Sequence, residues 1–350
     1  MFKYKLIFAL SFLFLFSCCS SNKTVRINYN KVHITHLKKG VKHWNQWRKE
    51  FPQIIPDLRY ANLSNLNLSG INLKGANLHY VNLSHSNLSN ADLSRAILTK
   101  SNLKKAFLNK TILKGADLSK SDAQEITITF SNLDETNLNE TVLNQSNIMQ
   151  SSFRKSNFYK TSIIKAKLIQ NDFYRAEFKW AKLNFSLLNK SVFSFANLNH
   201  TKLIKTNLSH TQFQNAQLKN SYLNESNLFS ANFNGANLEE ANLNNARCHK
   251  TSFIKTNFES SSLNGTEFNF GDLREANFED ARLKYANFHQ SNVREANFED
   301  ADLSHAKLLH ANLRETRLAS ANLNNTNVSK QWKHFILNQD PKNAEKIFWR

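Results

Sequence analysis

A period of five governs most of this chain. From Ala61 onward the sequence divides into fives without a slip: "ANLSN LNLSG INLKG ANLHY VNLSH SNLSN ADLSR". Every fifth residue from Leu63 to Val328 gives 54 positions, of which 34 are Leu and 13 are Phe. The others are Ala123, Ile128, Ile148, Ile163, Cys248, Val293 and Val328, and none is charged. Two residues earlier lies a second selected position, held by 23 Ala, 13 Ser, 12 Thr and 1 Gly. Leu66, Ile71, Val81, Ile126 and Asn171 depart from it. A period of five matches neither a helix nor a strand. One large and one small inward position per five residues need a backbone that turns after every repeat.

A second period is nested in the first. The phrase "REANFED" occupies residues 274–280 and again 294–300, and Arg314-Glu315 follows another twenty residues on. Phe recurs at 153, 173, 193, 213, 233 and 253. A second column holds Phe158 and Phe178, then Phe258, Phe278 and Phe298, and a third holds Phe268 and Phe288. Phenylalanines thus segregate at a spacing of twenty, as rings stacked in a narrow core would. On this reading Arg274, Arg294 and Arg314 form one exposed column, with Glu275, Glu295 and Glu315 in the column beside it.

The pattern closely resembles the pentapeptide-repeat family, A(N/D)LXX, over residues 61–328. The resemblance implies an all-β solenoid, a right-handed quadrilateral β-helix with four pentapeptides to the coil. At four repeats per coil, 54 repeats make about 13 coils, hence a rod roughly 65 Å long at the strand spacing. Proline would remove a ladder donor, and the three prolines (Pro52, Pro56, Pro341) lie outside the repeat. The stretch 121–130, "SDAQEITITF", is the least regular: its centre shrinks to Ala123 while its small position swells to Ile126.

A solenoid end exposes unpaired edges, so both flanks are expected to be caps. In "HLKKGVKHWNQWRKEF", Leu37, Val41, Trp44, Trp47 and Phe51 fall on one face of a single helix. Trp332 and Phe335, with Ile336, Ile347 and Trp349, repeat the device at the far end. The expected organisation is a signal peptide at 1–17, a lipidated tether at 18–35, a helical cap at 36–57, the β-helix at 58–328 and a second helical cap at 329–350. An end cap also offers a meeting place for a homodimer.

The N-terminus reads "MFKYKLIFALSFLFLFSCCSSNK". Two lysines precede an apolar run from Leu6 to Phe16, too short to span a bilayer and suited to a secretory signal. Leu15-Phe16-Ser17-Cys18 resembles the bacterial lipobox, which implies lipidation of Cys18 and anchoring in the cell envelope, at the outer membrane if the host has one. Three cysteines permit no disulfide framework, and Cys248, a repeat centre, is expected to be a buried, inert thiol.

Net charge is +19, unevenly spread. Residues 61–219 carry 20 Lys/Arg against 9 Asp/Glu, whereas residues 220–328 carry 10 against 14. Lys100, Lys104, Lys105, Lys110, Lys114 and Lys120 form a basic stretch that suggests contact with an anionic surface. His33, His36 and His43 lack the further ligands a metal set needs, and no phosphate loop or nucleophile elbow is present. The expectation is therefore a non-enzymatic scaffold with no cofactor, no metal and no nucleic acid partner, binding the membrane through its lipid and an unidentified protein through its repeat surface. Family members that imitate DNA and act on DNA gyrase supply the alternative, which the export signal and basic charge oppose.

Overall fold

The computed structural model describes residues 30–350. The signal segment, Cys18 and most of the tether lie outside the described residues. Each pentapeptide contributes one short bridge, and every bridge pairs in parallel with the residue twenty positions on, from Asp57–Asn77 to Lys307–Asn327. Four repeats therefore close one coil, and the chain is a four-faced β-solenoid. Longer strands occur at two places: β1 (Phe107–Asn109), β2 (Thr127–Thr129), β3 (Asn147–Met149) and β4 (Lys167–Ile169) stack on one face, and β5 (Lys307–Leu308) and β6 (Asn327–Val328) lie near the C-terminal end.

Within one repeat the physics is repetitive. The N–H of the centre residue donates to the carbonyl one coil on, as Leu63 does to Asn82 at 2.7 Å. The N–H of the small residue closes the corner, as Ala76 does to the Leu73 carbonyl at 3.0 Å. The corner's last residue takes a positive φ throughout, including Tyr60, Lys100, Glu140, Trp180 and Glu240. Left-handed backbone costs a non-glycine residue about 1–2 kcal/mol, so the coil-to-coil ladder and the core must offset a recurrent penalty. Glycine occupies only a few of these corners, so composition gives little sign of the conformation.

The two inward positions form one continuous core. The phenylalanine columns stack as their spacing predicts. Ring centroids along Phe153, Phe173, Phe193, Phe213, Phe233 and Phe253 lie 4.5 to 5.2 Å apart. Phe278 and Phe298 stack at 4.8 Å, nearly parallel. Ala123 and Ile126 are both fully buried, and the register of twenty runs straight through them.

The face of β1–β4 replaces the usual corner hydrogen bond with side chains. The amides of Thr111, Ser131, Ser151 and Asn171 donate instead to Ser131 Oγ, Ser151 Oγ, Asn171 Oδ1 and Ser191 Oγ, each one coil further along. This explains the odd residue at the small position. Asn171, 1% exposed, also donates Nδ2 to the Ile148 carbonyl at 2.9 Å, so both ends of its amide are satisfied.

The caps differ from expectation. The N-terminal flank is two helices, α1 (Lys31–Lys38) and α2 (Val41–Glu50), and α1 begins inside the stretch assigned to the tether. Gly40, at φ +97°, breaks the predicted single helix. Leu37, Trp44 and Trp47 are buried, but Phe51 falls beyond the helix and is exposed. The cap also completes the edge of the first coils through polar side chains. Asn45 donates to the Gly70 carbonyl and accepts from the Asn72 amide, both at 2.8 Å. Trp44 Nε1 donates to the Asn72 carbonyl at 2.7 Å, and Arg48 donates to the carbonyls of Ile54 and Lys74.

The C-terminal flank is only partly helical. A short 3-10 turn and α3 (Lys333–Leu337) seat Ile336 in the core and leave Trp332 and Phe335 half-buried. The chain then returns as β7 (Phe348–Trp349), which pairs in parallel with β6 and prolongs the solenoid. Gln339 Oε1 accepts from the Leu318 amide at 2.9 Å, an echo of Asn45 at the other end.

Candidate interaction surface

Only the last two residues of each repeat, and to a lesser degree the bridge residue, reach solvent. They stack into four corner columns with a rise of about 4.8 Å per coil. Successive repeats therefore turn to different corners, and neighbours up a corner are twenty residues apart.

This geometry disperses the predicted basic patch. Lys100 and Lys120 share one corner, Lys104 and Lys105 lie on the next, Lys110 on the third and Lys114 on the fourth. The six lysines encircle the rod. Two are further engaged: Lys105 with Glu125 at 3.4 Å and Lys114 with Glu135 at 3.7 Å.

Charge instead sorts along one corner. The corner of Lys100 continues through Lys120, Glu140, Lys160, Lys179 and Lys219, with one acid among the lysines. Beyond Asn220 it turns acidic: Glu239, Glu240, Glu259, Glu279, Asp280, Glu299 and Asp300 follow, with Ser260 as the one uncharged member. At the junction Lys219 Nζ lies 2.7 Å from Glu239 and 3.6 Å from Glu240, which raises the lysine's pKa. Glu299 and Asp300 meet Arg317 and Lys342 at 3.8 and 3.6 Å. Lys160, Lys179, Glu259, Glu279 and Asp280 make no ion pair among the described residues. Trp180, 45% exposed, stacks on His200 at 4.1 Å in the basic half of this corner.

A different corner carries the duplicated phrase. Arg294 bonds Glu295 at 2.6 Å and Glu315 of the next coil at 3.3 Å, and Arg314 meets Glu315 at 3.0 Å. The predicted columns are present and lock together. Beside them Arg274 pairs with Asp272, and the arginine above Glu315 lowers that carboxyl's pKa.

The remaining candidates are structural. Cys248 is fully buried, and desolvation pushes its thiol well up. His36 Nδ1 and His43 Nε2 approach to 3.1 Å and their rings stack, while burial and the neighbouring histidine lower the pKa of His36. His33 accepts from the Asp57 amide through Nδ1, and its burial lowers its pKa. Among the described residues no His/Cys/Asp/Glu group is arranged to hold a metal ion, and no helix is long and apolar enough to cross a membrane. An apolar groove of about 530 Å³ lies between the N-terminal cap and the first coil, lined by Ile34, Leu37, Val41, Leu63, Leu66 and Ile71. It accounts for two of the enlarged small positions.

The pentapeptide repeats family matches this chain in eight copies, covering residues 57–95, 76–115, 86–129, 131–170, 191–228, 231–269, 261–300 and 296–330. The chain belongs to the pentapeptide-repeat family. Among solved structures, this pentapeptide-repeat protein is similar to HetL of the cyanobacterium Nostoc sp. strain PCC 7120, a protein involved in heterocyst differentiation regulation. That match has 20% identity, spans 79% of this chain and 95% of HetL, and has a TM-score of 0.30. It is also similar to QnrB1, a plasmid-mediated fluoroquinolone resistance protein, at 16% identity over 56% of this chain and 95% of that one, TM-score 0.37. A pentapeptide-repeat protein of the Arabidopsis thaliana thylakoid lumen matches at 13% identity over 36% of this chain and 78% of its own, TM-score 0.21. No curated protein matches.

Proposed function

We propose that this pentapeptide-repeat protein is a non-enzymatic scaffold of the bacterial cell envelope, anchored by lipid at Cys18, whose corner columns bind a protein partner. The observation that carries the reading is the division of labour within the repeat. Inward positions are spent on a uniform core, and variable side chains are displayed on four long, rigid ridges. Rigid presentation lowers the ordering cost of binding. The signal-like segment and its lipobox-like cysteine support the location. Two acyl chains give stable anchoring where one is marginal.

Labelling with radioactive palmitate tests the anchor: label enters the wild-type chain and is lost in Cys18→Ala. Equal labelling of both, or of neither, removes the anchor. Cross-linking and pull-down from envelope fractions, with and without Cys18, tests the scaffold.

One observation favours a second reading, a DNA mimic acting on gyrase: the acidic run from Glu239 to Asp300 along one corner. The same corner is basic over its other half, which works against it. Expression that leaves quinolone sensitivity unchanged disposes of that reading.

A further inference from the structure

The corner running from Lys160 to Asp300 carries its two charges in opposite order about its own midpoint. An isologous contact between identical chains needs a patch whose halves complement one another when turned about a two-fold axis. We propose that two copies pair side by side and antiparallel along this corner, about an axis passing between the Lys219 coil and the Glu239 coil.

That register sets the lysines of one half against acids of the other. Lys219 faces Glu239 and Glu240 of the second copy. His200 faces Glu259 and Ser260. Lys179 and Trp180 face Glu279 and Asp280, and Lys160 faces Glu299 and Asp300. Glu140, the one acid of the basic half, falls opposite the uncharged Ala319 and Ser320. Shifting the axis one half-coil toward the N-terminus would set Glu140 against Asp300 and lose that match. The two-fold repeats each contact, so the ridge is engaged over eight coils, roughly 38 Å at the strand spacing.

Several of the groups this pairing uses are left over within one chain, while Lys219, Glu239, Glu240, Glu299 and Asp300 already hold ion pairs there. Lys160 and Lys179 lack a carboxylate partner, and Glu259, Glu279 and Asp280 lack a cation, among the described residues. Glu279 and Asp280 also sit one ladder spacing from acids in the coils on either side, a repulsion that a facing row of cations relieves. Trp180, half-exposed on its His200 stack, supplies an apolar knob beside the charges, the kind of anchor interfaces favour. A partner of one sign, such as a nucleic acid or an anionic glycan, would match one half of the ridge and be repelled by the other. A second copy matches both. This pairing differs from contact through an end cap and does not depend on the anchor.

Sedimentation of the full chain in mild detergent, at low and high salt, measures the pairing. The expected result is a dimer that weakens as salt rises. Lys179→Glu places acid against acid and weakens association roughly tenfold or more, and adding Glu279→Lys to the same chain restores it. Both substitutions are at exposed positions, and an unchanged unfolding midpoint confirms that folding is intact. His200→Cys with Ser260→Cys then reports the register. The two sites lie three coils apart in one chain, about 14 Å, too far for an internal disulfide, so an oxidised dimer requiring both cysteines marks the antiparallel contact. A monomer at low salt, a dimer indifferent to Lys179→Glu, a dimer without the 200–260 cross-link, or a monomer that binds a polyanion through Lys160 and Lys179 each overturns it.

Discussion

Phe193 and Phe278 occupy equivalent interiors: each is fully buried and stacked on a phenylalanine one coil away. Lys179 and Glu279 occupy the same corner position of coils a hundred residues apart, and their charges are opposite. The coils before and after Asn220 are thus alike inside and, along this corner, contrary outside. In an ordinary domain a surface substitution moves with the local shape of the core. Here the period of five fixes which residues face in, so the exterior varies without disturbing what holds the rod together.

The largest effects should therefore be the same in both halves. Phe213→Ala and Phe278→Ala each remove a ring from a stacked column and are expected to cost about 3–5 kcal/mol, measured by denaturant unfolding. A loss confined to one half would break the equivalence of the interiors. Asn171→Leu comes next, since it strips the Ser151 amide and the Ile148 carbonyl of their partners in a dry core. About 2 kcal/mol is expected, and Asn171→Ser should recover most of it, because Ser191 fills the equivalent rung one coil on.

The N-terminal cap should respond to acid. His33 must be neutral at Nδ1 to accept from the Asp57 amide, and burial lowers its pKa below 6.5. The unfolded chain therefore binds the proton first, and the cap's stability, complete above about pH 6.5, declines as pH falls through the folded value. The protection of the Asp57 amide against hydrogen exchange, taken relative to its intrinsic rate at each pH, should fall over that range, while the protection of the Phe213 amide stays unaltered. The smallest effect belongs to the ridge: Lys179→Ala and Glu259→Ala should each shift unfolding by no more than about 0.5 kcal/mol. A larger shift would mean that the exterior is not independent of the core.

How much of this was legible follows from the same division. The core was readable to the residue, because burial imposes one side-chain class at every fifth position and Phe columns expose the coil length. The Arg–Glu columns of the duplicated phrase were readable for the same reason. The caps were only half legible. Trp44 and Trp47 announce an apolar face, but Asn45 and Gln339 act on backbone groups distant in sequence, and no pattern marks them. The break at Gly40 was visible as a glycine and outweighed by the regular apolar spacing around it. Asn171 looked like an exception until its two partners were in place. The basic stretch 100–120 misled because proximity in sequence means dispersal around this rod. The acidic corner follows the same spacing of twenty, and a net charge over consecutive residues does not show it.

The most direct test is the distance between spin labels on one corner, read by pulsed dipolar spectroscopy on labelled chains diluted into unlabelled ones at high salt. Labels at 120 and 200 should lie roughly 19 Å apart, and labels at 120 and 280 roughly 38 Å, one strand spacing for each twenty residues. Proportional distances establish that twenty residues make one coil from end to end. Distances that fail to double between the two pairs would contradict the rod and everything read from its corners.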